Sequence, residues 1–185
     1  MFIQTEDTPN PETLKFMPGE NVLKKGTVDF SNKEQSRVSP LASRLFDVDG
    51  VSRVFLGSDF ISVTKDSSLD WNTLKPSILT GIMEHYSSGF PVLNDDALNN
   101  SETNNEEDTE TIKQIKDLLE TRVRPAVAMD GGDITFCSFD EGVVTLQMKG
   151  ACAGCPSSTA TLKMGIENML RHYIPEVTEV KAAEL

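Results

Sequence analysis

The sequence predicts an α+β protein made of two small α/β-sandwich-type domains, residues 1–93 and 111–185, joined by a flexible acidic linker over 94–110. Three observations predict it. Both halves alternate short β-branched runs with stretches of helical apolar spacing. The segment between them holds 7 acids and no base, against 12 acids and 9 bases before it and 10 acids and 8 bases after it. Finally, 185 residues at 38% hydrophobic content suit one or two ordinary cores.

In the first half, β-rich runs occupy Phe2 to Thr5, Thr13 to Met17 and Thr27 to Phe30, and a helix is expected from Pro40 to Phe46. A hairpin follows. Val51 to Leu56 and Phe60 to Thr64 flank the polar turn Gly57-Ser58-Asp59. Trp71, Leu74, Ile78, Ile82 and Tyr86 then recur at helical spacing, with Asp70 placed to cap the first turn.

From Asn94-Asp95-Asp96 to Glu106-Glu107-Asp108 there is almost nothing apolar to bury, so self-repulsion and solvation predict an extended spacer. The domains it joins are expected to move independently.

In the second half, Ile112, Ile115, Leu118, Leu119 and Val123 mark a helix expected to end near Arg124-Pro125, since proline disfavours helical geometry in its predecessor. Asp130-Gly131-Gly132-Asp133 turns the chain. Ile134 to Phe139 and Val143 to Lys149 form a hairpin across Asp140-Glu141-Gly142. A cysteine loop leads into a helix carrying Leu162, Ile166, Met169, Leu170 and Tyr173 on one stripe, and Val177 to Lys181 is a last strand. The predicted order is helix, hairpin, CxxC loop, helix, strand.

Several function classes are excluded. No apolar run approaches the roughly 18 residues of a membrane span. A formal charge of -12 disfavours nucleic acid, whose binding is dominated by basic contacts to phosphate. The start, Met1-Phe2-Ile3-Gln4-Thr5-Glu6-Asp7, is acidic rather than a basic presequence, which points to a bacterial cytoplasm. A processed organelle protein of the mitochondrial matrix is the alternative.

The chemistry lies in Cys152-Ala153-Gly154-Cys155-Pro156. With Cys137 the one further cysteine, there is no disulfide framework, so the pair serves metal or redox chemistry. Thiols at i and i+3 around a turn place two soft ligands on one side of the backbone. Pro156 suits a first helical position, which makes Cys155 the N-cap and predicts ready thiolates at a helix N-terminus. Spacing alone leaves ligand and disulfide both open. A four-iron cluster or closed zinc site takes four protein ligands. One chain is short of them, and two chains meeting at their cysteine loops would supply four. Such a site opens easily, which suits a carrier.

Other candidates have plainer explanations. Strand alternation turns Cys137 away from the side of Ile134 and Phe136, as a bystander thiol. Asp130-Gly131-Gly132-Asp133 is a structural turn, with glycines for positive φ and aspartates for local amides. His172 sits where a cation favours a helix C-terminus, and His85 lies in the other half. Ser157, Ser158 and Thr159 are placed to tune cluster sulfurs, though helix-start chemistry explains them equally well. Thr8-Pro9-Asn10-Pro11 reads as a stiff extended turn rather than a partner epitope.

The runs Asp130-Gly131-Gly132-Asp133, Leu146 to Thr159 and Gly165-Ile166-Glu167-Asn168-Met169-Leu170 closely resemble the NifU C-terminal-like (Nfu-type) iron-sulfur scaffold domain. Thr5 to Phe16 resembles the N-terminal domain of the same proteins. This resemblance implies a scaffold or carrier without catalytic turnover. Its [4Fe-4S] cluster, with [2Fe-2S] as the other form, would lie between two subunits on Cys152 and Cys155 of each. It would accept the cluster from an upstream donor and pass it to apo iron-sulfur clients. Residues 1–136 hold no cysteine, so the cysteine-bearing upstream modules of longer NifU proteins are absent and transfer is expected rather than de novo synthesis. The alternatives are a CxxC dithiol oxidoreductase and a zinc-stabilised interaction module. The first fits poorly, because a thioredoxin-like fold needs a βαβ unit around its motif.

Overall fold

A computed structural model describes residues 1–94 and 108–183, with the backbone alone for Pro156 and Ser158. The chain separates into two compact units, residues 1–102 and 103–185. Most of the expected linker lies outside the described residues. Its ends belong to the units: the Asn94 amide donates to the Val38 carbonyl at 2.9 Å, and Thr109 caps the first helix of the second unit.

In the first unit, β1 (Gln4–Asp7), β2 (Thr13–Met17), β3 (Val28–Phe30), β4 (Val51–Leu56) and β5 (Ile61–Lys65) form an antiparallel sheet in the order β1-β2-β5-β4-β3. Two helices, α1 (Pro40–Phe46) and α2 (Trp71–Ser88), share one core with it. Alternation explains which strand residues enter that core. Leu14 and Phe16 of β2 pair with Val63 and Ile61 of β5, which pair in turn with Val54 and Leu56 of β4. All six are buried against Leu41, Leu45, Ile78 and Ile82 of the helices.

Capping chemistry sets the helix starts. The Ser39 hydroxyl accepts from the Ala42 amide at 3.0 Å and donates to the Val92 carbonyl, and an Asp70 carboxylate oxygen accepts from the Asn72 amide. The strand β1 lies two residues later than expected, and a short 3₁₀ turn at Gln35–Val38 precedes α1. The Thr8 to Pro11 turn is tied down both locally and by α2. Asn10 Oδ1 accepts from the Glu12 amide, and Trp71 Nε1 donates to the Pro11 carbonyl.

The second unit departs from expectation at its first helix. α3 (Glu110–Leu118) does not stop at Arg124-Pro125. It passes through a π turn, Leu119–Val123, into α4 (Arg124–Met129). Proline lacks an amide and clashes with the carbonyl four residues back. In the wider turn the Arg124 amide donates to the Leu119 carbonyl, five residues earlier, and Pro125 takes a first-turn position of α4.

Next come β6 (Gly132–Asp140), β7 (Val143–Gly150), α5 (Pro156–Tyr173) and β8 (Glu179–Ala182), with sheet order β6-β7-β8. β6 and β7 are antiparallel and β8 runs parallel to β7. Glu141 and Gly142 both have positive φ, 46° and 83°, which makes the β6–β7 hairpin a two-residue connection whose twist matches its strands. Ile134, Val144, Leu146 and Val180 of the sheet pack with Ile115, Val127, Ile166 and Leu170 of the helices. Tyr173, expected on the buried stripe, is exposed instead, and its ring lies under the Arg122 guanidinium.

Candidate metal centre

The five-residue loop Ala151 to Cys155 joins β7 to α5. It is held at both ends. The Ala151 amide donates to the Gly131 carbonyl and the Ala153 amide to the Gly150 carbonyl, each at 3.1 Å. On the helix side, the Thr159 hydroxyl donates to the Cys152 carbonyl and the Thr159 amide to the Cys155 carbonyl, both at 2.9 Å. Thr159 is therefore a backbone latch. Cys155 is the N-cap residue of α5, with extended φ and ψ of -106° and 105°. Gly154, exposed and at φ 82°, makes the turn between the two thiols.

Neither thiol is in a disulfide, and the two are differently placed. Cys152 is buried between Ala151 and Ala153, whereas Cys155 is half-buried. Burial pushes the Cys152 thiol up to about 12, and the negative charges of Asp130 and Asp133 add to this. The expectation of two ready thiolates is thereby corrected for Cys152: it keeps its proton in the cluster-free chain, and a binding metal must displace it. Cys155 Sγ lies 3.5 Å from the Ser157 hydroxyl. The side chain of Ser158 lies outside the described atoms.

A second turn abuts the loop. Gly132 pairs with Gly150 at the start of the β6–β7 ladder. A Cβ added there would lie 2.7 Å from Cys152 Sγ and 2.7 Å from the Lys149 carbonyl oxygen, so the buried sulfur rests directly against glycine backbone. Asp133, also buried, accepts from Arg124 through both oxygens, Nε to Oδ1 at 2.8 Å and Nη2 to Oδ2 at 2.9 Å. Its Oδ1 accepts from the Ile134 amide as well. The pair with Asp133, joined by Glu120, raises the guanidinium's already high pKa further.

The other candidates are not brought here. Cys137 is exposed at a β-bulge between Phe136 and Ser138, where it has no cross-strand partner. His172 stacks edge-on with Tyr173 at 5.0 Å. It is 17 residues along α5 from Cys155, about 25 Å at helical rise. His85 belongs to the core of the first unit. Among the described residues, no group of three or more His, Cys, Asp or Glu side chains could hold a metal ion. Two soft sulfur donors on one short loop, flanked by alanine and glycine, fit a bulky iron-sulfur cargo better than a small closed cation cage.

The sequence reading missed Arg124 and treated the glycine turn as scaffolding alone. One signal was available: an acid on either side of two glycines, beginning five residues after an Arg-Pro step. Its meaning depends on the π turn, which periodicity does not show.

Residues 3–89 match the family described as "Scaffold protein Nfu/NifU N terminal", and residues 115–181 match "NifU-like domain". The chain is 54% identical over 183 residues to the Drosophila willistoni protein named "NFU1 iron-sulfur cluster scaffold homolog, mitochondrial", covering 98% of this chain and 63% of that one. It is 52% identical over 185 residues to each of two Arabidopsis thaliana proteins, "NifU-like protein 4, mitochondrial" and "NifU-like protein 5, mitochondrial", covering 98% of this chain and 65% and 67% of theirs. The chain thus spans about two thirds of these relatives' length, and their names favour the organelle alternative over the expected bacterial cytoplasm. Matches along both units and half-identity across nearly the whole chain place it in the Nfu/NifU family of iron-sulfur cluster scaffold proteins.

Proposed function

We propose that the chain carries a [4Fe-4S] cluster as cargo between two subunits, held by Cys152 and Cys155 of each, and delivers it to apo-proteins in the mitochondrial matrix. One observation carries this reading. Two cysteines outside any disulfide share a short loop, and no group of three or more ligating side chains is found among the described residues, so a second chain is the simplest source of the other two sulfurs.

Delivery is ligand exchange rather than catalysis on a bound substrate. Each iron–Sγ bond breaks as a client thiolate forms its own bond to that iron; the freed cysteine takes up a proton, and the oxidation state of the cluster does not change. Cys155, half-buried, is the first to be exchanged. Cys152, buried against Gly132, is the last.

The decisive experiment follows cluster transfer. The full chain is loaded without oxygen and mixed with a cluster-free four-iron client, and the client's recovered activity is measured. Cys152→Ser and Cys155→Ser should each leave a folded chain that neither loads nor delivers. Delivery by a chain with both serines would overturn the proposal.

A further inference from the structure

We propose that Arg124 is a positioning residue for the cluster site: its two-pronged grip on Asp133 presses the Gly132 backbone against the sulfur of Cys152 and so fixes that ligand in place. The chain of contacts is continuous. The π turn lets the helix continue through Pro125, and at that junction the Arg124 guanidinium reaches Asp133. Glu120, one turn back, engages Nη1 at 2.6 Å and steadies the other side of the fork. Asp133 is covalently next to Gly132, and with both carboxylate oxygens engaged its backbone has little freedom to rotate. Gly132 in turn leaves less room for Cys152 Sγ than one methyl group needs.

Charge gives the pair a second effect. Thiolates bound to an iron-sulfur cluster carry negative charge, and the buried Asp133 carboxylate follows directly on the Gly132 backbone that meets Cys152 Sγ. Arg124 offsets that buried carboxylate. Lysine would supply the charge but not the planar two-point grip. Sequence spacing made the acidic glycine turn look like a plain chain reversal; the contact with sulfur gives it a role at the site.

The inference rests on Cys152 being a cluster ligand, and its test has one arm that needs no cluster. The cluster-free full chain is treated with iodoacetamide, and alkylation of Cys152 and Cys155 is followed by peptide mass spectrometry. In the unaltered chain Cys152 reacts far more slowly. Arg124→Lys, which keeps the charge but loses the fork, should raise the Cys152-to-Cys155 rate ratio about threefold or more, and Arg124→Gln should raise it as well. Val127→Ala, which weakens the same core without touching the pair, should leave the ratio nearly unchanged.

In the second arm, the loaded Arg124→Lys chain should lose its cluster to an iron chelator several times faster than the unaltered chain. Should Arg124→Gln fail to fold, Arg124→Lys decides the question. An unchanged ratio in the folded arginine variants, or an equal rise in Val127→Ala, overturns the proposal. If the ratio rises yet not even the unaltered chain accepts iron and sulfide, positioning stands and the cluster reading falls.

Discussion

Cys152 and Cys155 are close in sequence but unequal in environment, and the inequality comes from the loop's anchors. Thr159 and the Gly131 carbonyl pin the backbone around Cys152, so its sulfur is turned inward, while Gly154 carries Cys155 out to the helix start. The motif itself was legible in the sequence. The burial of one thiol was not, because it depends on Gly132, twenty residues away and brought in by strand pairing. A different buried group makes the first unit sensitive to acid. His85 is buried with Nε2 unpartnered, and burial followed by the nearby Arg44 charge lowers its pKa. Above about pH 6.5 it is neutral whether folded or unfolded. As pH falls through that value, the unfolded chain takes a proton that the folded chain resists, so stability declines. Thermal melts between pH 7.5 and 5 should show the first unit losing stability toward acid, and His85→Leu should flatten that slope with no loss at pH 7.5.

At the scale of elements, local chemistry and pairing set different things. The strands Thr13–Met17 and Val51–Leu56 and the helix Pro40–Phe46 have the bounds their residues suggest, because apolar alternation and capping coincide there. β1 was misplaced by two residues. It is an exposed edge strand whose limits come from its register with β2, from Gln4 opposite Met17 to Asp7 opposite Leu14. The helix through Arg124-Pro125 was misread for another reason: a π turn dissolves the conflict that proline would create in an α-helix. The β6–β7 hairpin depends on a glycine. At Gly142 the backbone has φ 83°, and a Cβ would come within 2.7 Å of Thr178 Oγ1 and 3.0 Å of the Glu176 carbonyl. Gly142→Ala should destabilise the second unit by about 1–3 kcal/mol through strain and crowding. Differential scanning calorimetry should show its transition lowered by about 5 °C or more, with the first unit's unmoved.

For the whole molecule, two cores that share no residues argue for two folding units. The expected acidic spacer between them would let one unit engage a client while the other presents the cluster. Two calorimetric transitions should be seen, and Cys155→Ser, at the half-buried thiol outside both cores, should alter cluster content without shifting either by more than about 2 °C. The central claim is that one chain holds half a site. Native mass spectrometry of the full chain, loaded with iron and sulfide without oxygen, tests it most directly. The account predicts a species of two chains with four irons and four sulfides, absent from Cys152→Ser and Cys155→Ser. A single chain retaining a complete cluster, or a zinc-bound chain that takes up no iron, would contradict it.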